Sequence, residues 1–249
     1  MSLTIDPIAF VRTPYPTKFG VPRQPGLVDA LEARVEFAPA FRNPDALRGL
    51  EGFDYIWLIW GFSHNGREGA WSPTVRPPVL GGTRRMGVFA TRSSFRPNGL
   101  GLSSVRLLGV EPDAVYEDGS CGPALRVAGA DMVDGTPVYD VKPYLPSSDS
   151  HPGAQTGWKQ EAPWSELAVA WDDGESEKVP EHLRAGVVQL LRQDPRPAYT
   201  RTGQEGRLFW VPVADLAIWF SVEGETLTVR RVVRLDEEQM ARLRATGTI

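Results

Sequence analysis

The sequence has few of the residue types that form disulfides and metal sites. Of its 249 residues, one is a cysteine and three are histidines. The single cysteine, Cys121, excludes an intrachain disulfide and a cysteine-based zinc site. The histidines, at positions 64, 151 and 182, do not have the H-x-x-x-H spacing of a metal-binding helix. The sequence therefore predicts no metal centre.

The sequence also lacks long apolar runs. Its most apolar segment, residues 53–62, is far too short to span a bilayer, and no run of signal-peptide type stands near Met1. Hydrophobic residues make up 41% of the chain and charged residues 23%, as in ordinary globular domains. We therefore expect a cytoplasmic protein that is not bound to a membrane.

An excess of positive charge is absent as well, since the formal net charge is −4. This total argues against a protein that coats nucleic acid through bulk electrostatics. It leaves room for a local basic surface, because several arginines fall close together in sequence: Arg76, Arg84, Arg85, Arg92, Arg96 and Arg106.

The chain is organised around residues 81–102, GGTRRMGVFATRSSFRPNGLGL. The apolar residues 86–90 predict one buried strand, and Asn98-Gly99 predicts a tight turn because both residues tolerate positive φ. The arginines and hydroxyls between them suit an anionic or carboxylate-bearing ligand, since guanidinium groups form bidentate, charge-assisted hydrogen bonds. The alternative interpretation is a surface hairpin that merely carries arginines.

The pattern of the whole chain predicts a mainly β protein with some α. Residues 53–62 predict a central strand buried on both faces, and residues 146–163, rich in Ser, Pro and Gly, predict a linker. We therefore divide the chain near residue 150. Further predicted strands are residues 5–12, 33–37, 103–111, 124–128, 167–171, 208–213, 216–222 and 226–235. The predicted helices are residues 181–193 and 236–244, the second with Asp236 as N-cap.

Three aspartates near the middle of the chain are candidates for chemistry. Asp131, Asp134 and Asp140 lie around the Asp134-Gly135 dipeptide, which is typical of a tight turn. Such turn residues are ordinarily solvated, but they could also recognise a ribose or an ammonium group, or act as a base. The sequence pattern leaves these alternatives open.

Four motifs together resemble one family. They are Val21-Pro22-Arg23-Gln24-Pro25-Gly26, the run GVFATRSSFRPN at 87–98, Asp134-Gly135-Thr136-Pro137 and the run DPRPAY at 194–199. In this order they are similar to the TsaA-like/TrmO family of S-adenosylmethionine-dependent tRNA methyltransferases, over nearly the whole chain. A methyltransferase of the Rossmann class would contain a strand, a Gly-rich turn and a helix of the dinucleotide-binding type, and the sequence shows no such unit.

The resemblance implies a fold and an activity. Residues 1–148 would form a TsaA-like β-barrel that binds S-adenosylmethionine, and residues 149–249 a small α+β C-terminal domain that carries DPRPAY. The reaction would be methylation of the exocyclic N6 of threonylcarbamoyladenosine next to the anticodon of tRNA. Proteins of this family are typically homodimers, with the cofactor site completed near the subunit interface.

The resemblance also assigns roles to residues of this sequence. The expected cofactor-binding residues are Pro22, Arg23, Gln24, His64, Asn65, Arg92, Leu102, Asp134, Gly135, Thr136 and Pro137. The expected substrate-binding residues are Arg84, Arg85, Asp194, Arg196 and Tyr199, with Arg196 as a reader of the threonyl carboxylate. Asp134 and Tyr199 are the expected catalytic residues, with His64 as a further candidate for the base.

Two other functional classes stay open at the level of sequence. One is a small-molecule methyltransferase on the same barrel, because the net charge of −4 does not favour RNA. The other is a non-catalytic module that binds a phosphate ligand through the arginine-rich turn. Cofactor binding separates the module from the enzymes, and salt-sensitive binding of tRNA separates the two enzymes.

Overall fold

The structure is a computed structural model that describes residues 4–63, 71–80, 84–161, 165–197, 200–201 and 204–248. The strands of the N-terminal half are β1 Ala9–Arg12, β2 Glu32–Phe37, β3 Tyr55–Gly61, β4 Thr74–Val75, β5 Met86–Gly87, β6 Leu100–Val115, β7 Cys121–Ala128 and β8 Thr136–Pro143. Six of them are antiparallel and close into a barrel in the order β1-β2-β7-β6-β3-β8. The other two, β4 and β5, form a short hairpin in the connection between β3 and β6. The predicted barrel is confirmed.

The most apolar segment forms β3, as predicted, but it is not buried on both faces. Ile56 and Leu58 point into the barrel and are fully buried, whereas Tyr55 is 43% exposed. The prediction of two buried faces is wrong because successive side chains of a strand point to opposite sides, and in a closed barrel only one side packs into the interior.

Two other local predictions differ from the structure. The predicted strand at residues 86–90 is a strand only over Met86–Gly87, and Val88–Ala90 forms a 3-10 turn. The predicted linker at residues 146–163 contains a short helix, α1 Pro146–Asp149, and a 3-10 turn at Gly157–Glu161. β8, which closes the barrel by pairing with both β1 and β3, was not predicted from the sequence as a strand.

The elements of the C-terminal half are β9 Ala168–Trp171, α2 Glu181–Arg192, β10 Phe209–Val213, β11 Leu216–Glu223, β12 Thr226–Arg234 and α3 Glu237–Thr246. The four strands form one sheet in the order β10-β11-β12-β9, in which β9 runs parallel to β12. Asp236 caps α3 as predicted, because its carboxylate accepts from the backbone N–H of Gln239 at 2.8 Å. No helix within the described ranges is long and apolar enough to cross a membrane.

The connection between β1 and β2 packs into the core of the C-terminal half. Tyr15, Val28 and Leu31 are buried in one core cluster with Val187 of α2 and Phe220 of β11. The backbone N–H of Ala214 donates to the carbonyl of Pro14 at 2.7 Å. The Pro-rich segment, residues 13–26, is therefore held between the barrel and the C-terminal sheet.

Replacement of Gly186 tests this packing. A Cβ at Gly186 would lie 2.2 Å from Cγ of Leu31, so α2 has no room for a side chain there. We expect Gly186→Val to lower the free energy of unfolding by about 1–3 kcal/mol, because overpacking displaces neighbouring groups. Urea denaturation measures the change. In the control Gly52→Val no atom lies within 4 Å of the new Cβ; an equal loss for both variants would contradict the tight contact.

Candidate active site

One cavity gathers a large part of the predicted site. This main cavity, about 850 Å³ in volume, lies between β3, β6, the Pro-rich segment, the residues before β8 and the arginine loop, residues 91–96. The predicted cofactor-binding residues that line it are Pro22, Arg23, Gln24, Arg92, Leu102 and Thr136. These residues are far apart in sequence and belong to the motifs of one family, and they line the same cavity.

Hydrogen bonds fix the Pro-rich segment against the arginine loop. The side-chain oxygen of Gln24 accepts from a guanidinium N–H of Arg92. Arg23 donates through Nη2 to the carbonyl of Asp194 at 3.1 Å. Burial, followed by the nearby charge of Arg201, lowers the pKa of Arg23 to about 10, so Arg23 keeps its charge at neutral pH. With Lys18 and Arg96, which also line the cavity, these two segments contribute four cationic side chains to its wall.

Part of the Asp134-Gly135-Thr136-Pro137 motif builds the fold around the cavity. The Asp134 carboxylate accepts from the backbone N–H of Thr13 at 3.1 Å, and the N–H of Gly135 donates to the carbonyl of Val11 at 2.8 Å. Pro137 pairs with Phe10 in the β1–β8 ladder. Of this motif, only Thr136 is found among the described residues that line the main cavity.

The predicted substrate residues lie in different environments. Arg196 is only 7% exposed and donates through Nε and Nη2 to the two carboxylate oxygens of Asp194, at 2.8 and 3.0 Å. Arg201 also contacts this carboxylate, at 3.2 Å. Arg85 and Arg84 are exposed on the surface near β5, where Arg85 donates to the hydroxyl of Thr74 at 3.0 Å. The structure thus gives Arg196 a buried partner, whereas the family resemblance implies that Arg196 contacts the substrate.

Three predicted site residues lie outside the described residues. They are His64, Asn65 and Tyr199. Their assignments to cofactor, substrate and catalysis stay predictions.

Asp131 is the one carboxylate among the described residues that line the main cavity. Its Oδ1 accepts from the hydroxyl of Ser103 at 2.6 Å, and that hydroxyl accepts from the indole N–H of Trp60 at 3.0 Å. Burial raises the pKa of Asp131 to about 6, and the Ser103 hydrogen bond and the charge of Arg92 oppose this rise. The sequence marked Asp131 as one of three candidate aspartates, and only the fold separates it from Asp134.

Comparison with known proteins supports the family resemblance over both halves of the chain. The family model of the tRNA-methyltransferase O N-terminal domain matches residues 10–150, and that of the TrmO C-terminal domain matches residues 161–235. The crystal structure of TrmO from Pseudomonas aeruginosa has a TM-score of 0.71 and 31% sequence identity to this chain, and the match covers 94% of this chain and all of that one.

Relatives with assigned names extend the same finding. The tRNA (adenine(37)-N6)-methyltransferase of Escherichia coli strain K12 is 42% identical over 229 residues, which is 89% of this chain and 94% of the relative. A putative S-adenosylmethionine-dependent methyltransferase, RcsF, of Pseudomonas aeruginosa is 40% identical over 225 residues, 88% of this chain and 92% of the relative. The barrel, its cavity and these matches define a tRNA-modifying methyltransferase. The chain belongs to the tRNA-methyltransferase O family.

Proposed function

We propose that this chain transfers a methyl group from S-adenosylmethionine to the exocyclic N6 of an adenosine next to the tRNA anticodon. We propose further that this adenosine carries a threonylcarbamoyl group and that the reaction takes place in the cytoplasm. The observation that carries the proposal is the convergence of Pro22, Gln24, Arg92 and Leu102 on one cavity. The name of the E. coli relative supports the adenine N6 as the acceptor.

The main cavity suits S-adenosylmethionine in size and chemistry. Its volume of about 850 Å³ falls in the range of small-molecule sites. Trp60, Phe62 and Leu100 offer apolar contact for a flat base, while Arg92 offers a positive charge for the carboxylate end of an amino acid. When bound, the cofactor supplies a methyl group on a sulfonium, which a nitrogen takes by in-line displacement.

Asp131 is the proposed base for the acceptor nitrogen. An exocyclic N6 carries a proton that must leave around the time of attack, and a positioned carboxylate accelerates such a step. The Ser103 hydroxyl holds one oxygen of Asp131, which fixes the orientation of the carboxylate. A carboxylate with a pKa near 6 is mostly ionised at neutral pH, yet it is a stronger base than a solvated aspartate. Asp131 therefore replaces Asp134, whose carboxylate is bonded to the Thr13 amide, in the proposed mechanism.

Arg196 is proposed as a positioning residue. Its guanidinium holds the Asp194 carboxylate, and the Asp194 carbonyl accepts from Arg23. Because Arg23 lines the main cavity, the pair Asp194–Arg196 orients a cationic cavity residue. Arg23 and Arg92 then are the proposed partners of carboxylates on the two ligands.

We also propose that the chain forms a homodimer near this site. Leu100 and Leu102 both line the main cavity and are 38% and 57% exposed. Exposed leucines on neighbouring outward positions of β6 provide an apolar contact for a second copy. A dimer that covers them would also narrow the entrance of the cavity.

Methyl incorporation from labelled S-adenosylmethionine tests the proposed function. We expect label in a tRNA pool that carries threonylcarbamoyladenosine and none in unmodified transcript, because the threonyl carboxylate provides binding energy through arginine. Label in both pools would remove the threonylcarbamoyl requirement. A chain that binds the cofactor but labels neither pool would be a small-molecule methyltransferase instead, and the RNA assignment would be wrong.

A further inference from the structure

A second cavity adjoins the main one and is not used in the proposed mechanism. It has a volume of about 1390 Å³ and lies between the β4–β5 hairpin, the arginine loop and the turn at Gly157–Glu161. Six described residues line both cavities, and Arg23, Gln24 and Arg92 are three of them. A ligand long enough to occupy both spaces would therefore pass these three side chains.

The charge of the second cavity is one-sided. Its described lining residues include the cations Arg23, Arg76, Arg85, Arg92 and Lys159, and no aspartate or glutamate is among them. The chain as a whole has a net charge of −4. Such segregation of positive charge in an acidic protein creates a local field that favours a polyanion.

Aromatic side chains accompany these cations. Trp71, Phe89, Phe95 and Trp158 all line the second cavity. Phe89 is 72% exposed and Trp71 49% exposed, and their rings stack at a centroid distance of 6.3 Å with an interplanar angle of 25°. A contiguous patch of exposed rings, unlike an isolated exposed residue, commonly marks a site for a ligand or a partner.

Trp158 is fixed on the same surface by a hydrogen bond. Its indole N–H donates to the carbonyl of Ala90 at 2.9 Å, so the segment between the two halves of the chain is attached to the loop that carries Phe89. The indole therefore has a defined position in the wall of the second cavity. Fixed aromatic faces lose little conformational entropy when a ligand stacks on them.

We propose that the second cavity binds the single-stranded nucleotides that flank the target adenosine in the RNA substrate. This inference rests on the proposed function. Cations along a groove contact successive phosphates, and exposed aromatic rings stack with bases of any sequence. The shared residues Arg23, Gln24 and Arg92 place this groove beside the main cavity, so that one base can enter the reaction site while its neighbours stay outside.

The test uses the full-length chain and an anticodon stem-loop with 2-aminopurine beside the target adenosine. We expect Phe89→Ala to raise the Kd of this RNA by about 5- to 100-fold, because stacking contributes about 1–3 kcal/mol per base. Trp158→Ala should have a similar effect, and Trp158→Phe, which keeps a ring, should restore most of the affinity. The affinity for S-adenosylmethionine, measured by calorimetry, should stay within threefold. Phe41→Ala, which removes a 43% exposed ring outside the described linings of both cavities, is the matched control.

Salt dependence provides a second, independent measurement. The slope of log K against log salt is negative, and Lys159→Ala and Arg85→Ala should each reduce its magnitude by about 0.7, the value for one phosphate contact to a single strand. Arg48→Ala, in the exposed pair with Asp45, should leave the slope unchanged. If the wild type methylates tRNA but Phe89→Ala binds the RNA normally, only the second cavity is misassigned. If the wild type binds the cofactor but neither binds nor methylates RNA, both proposals are overturned. If the second cavity binds an acidic peptide and no RNA, the assignment of this cavity to nucleotides is overturned.

Discussion

Asp131→Asn should lower kcat for tRNA methylation by about 100- to 10,000-fold, the usual contribution of a positioned general base. The substitution keeps the shape of the side chain and the oxygen that accepts from Ser103, but it removes the negative charge that takes the proton. The Kd of S-adenosylmethionine should change much less than kcat. Single-turnover methylation with saturating cofactor measures the chemical step, and equilibrium binding measures the Kd.

The pH profile distinguishes a base from a structural carboxylate. The pKa of Asp131 is raised to about 6, and the ionised form is the active one. The rate should therefore be nearly constant above pH 7 and fall tenfold per unit below pH 6. Ser103→Ala removes a hydrogen bond that lowers this pKa, so the acid limb should move to higher pH. The control is Asp140→Asn, on β8 beside Lys142, whose pH–rate profile should be that of the wild type. If Asp131→Asn also keeps the wild-type pH–rate profile, Asp131 is not the base.

Asp194→Ala should destabilise the chain by about 3–5 kcal/mol, the typical result of removing one partner of a buried ion pair. Asp194 is 7% exposed, and its carboxylate contacts both Arg196 and Arg201. Without it, the buried Arg196 guanidinium loses its counter-charge. Alanine is also disfavoured at the backbone φ of +48° found there. Denaturant unfolding followed by circular dichroism measures the change.

Two further variants separate the effect of the lost ion pair from the effect of backbone strain at position 194. Asparagine tolerates positive φ, so Asp194→Asn removes the charge without adding the backbone strain of alanine. It should still lose most of the 3–5 kcal/mol expected from the pair. Asp215→Ala breaks an exposed ion pair with Arg234 and should change stability by about 0–1 kcal/mol. Equal effects of Asp194→Ala and Asp215→Ala would contradict a special role of the buried pair.

The sequence predicts most strands of this chain because their apolar patterns are strong. The three C-terminal strands and α3 form near the predicted positions, and Asp236 caps α3. β8 was missed because residues 136–143 contain two prolines and follow a turn, so their pattern is weak. Its strand structure depends on β1 and β3, which hold it from both sides. Contacts of that kind between distant segments are not visible in a local pattern.

The candidate site shows the same limit at the level of side chains. Gln24 and Arg92, which lie in two of the motifs, both line the main cavity. Motifs list residues that recur together in a family. They do not record where a side chain points. Asp131 and Asp134 are three residues apart, yet one faces the main cavity and the other accepts from Thr13. The buried position of Arg196 likewise follows from its pairing with Asp194, which becomes evident only in three dimensions.

The packing of Tyr15, Val28 and Leu31 has a consequence for synthesis on the ribosome. Tyr15, Val28 and Leu31 leave the ribosome well before their partners in the core cluster, which lie within residues 179–232. At about 5–20 residues per second, the early segment waits roughly 10–40 s for them. During that time the residues that pack against its apolar side chains in the folded protein are not yet present. This core cluster is therefore completed only after residue 232 has been made. A version of the chain cut off near residue 150 would expose Tyr15, Val28 and Leu31 to solvent, although they are buried in the complete fold.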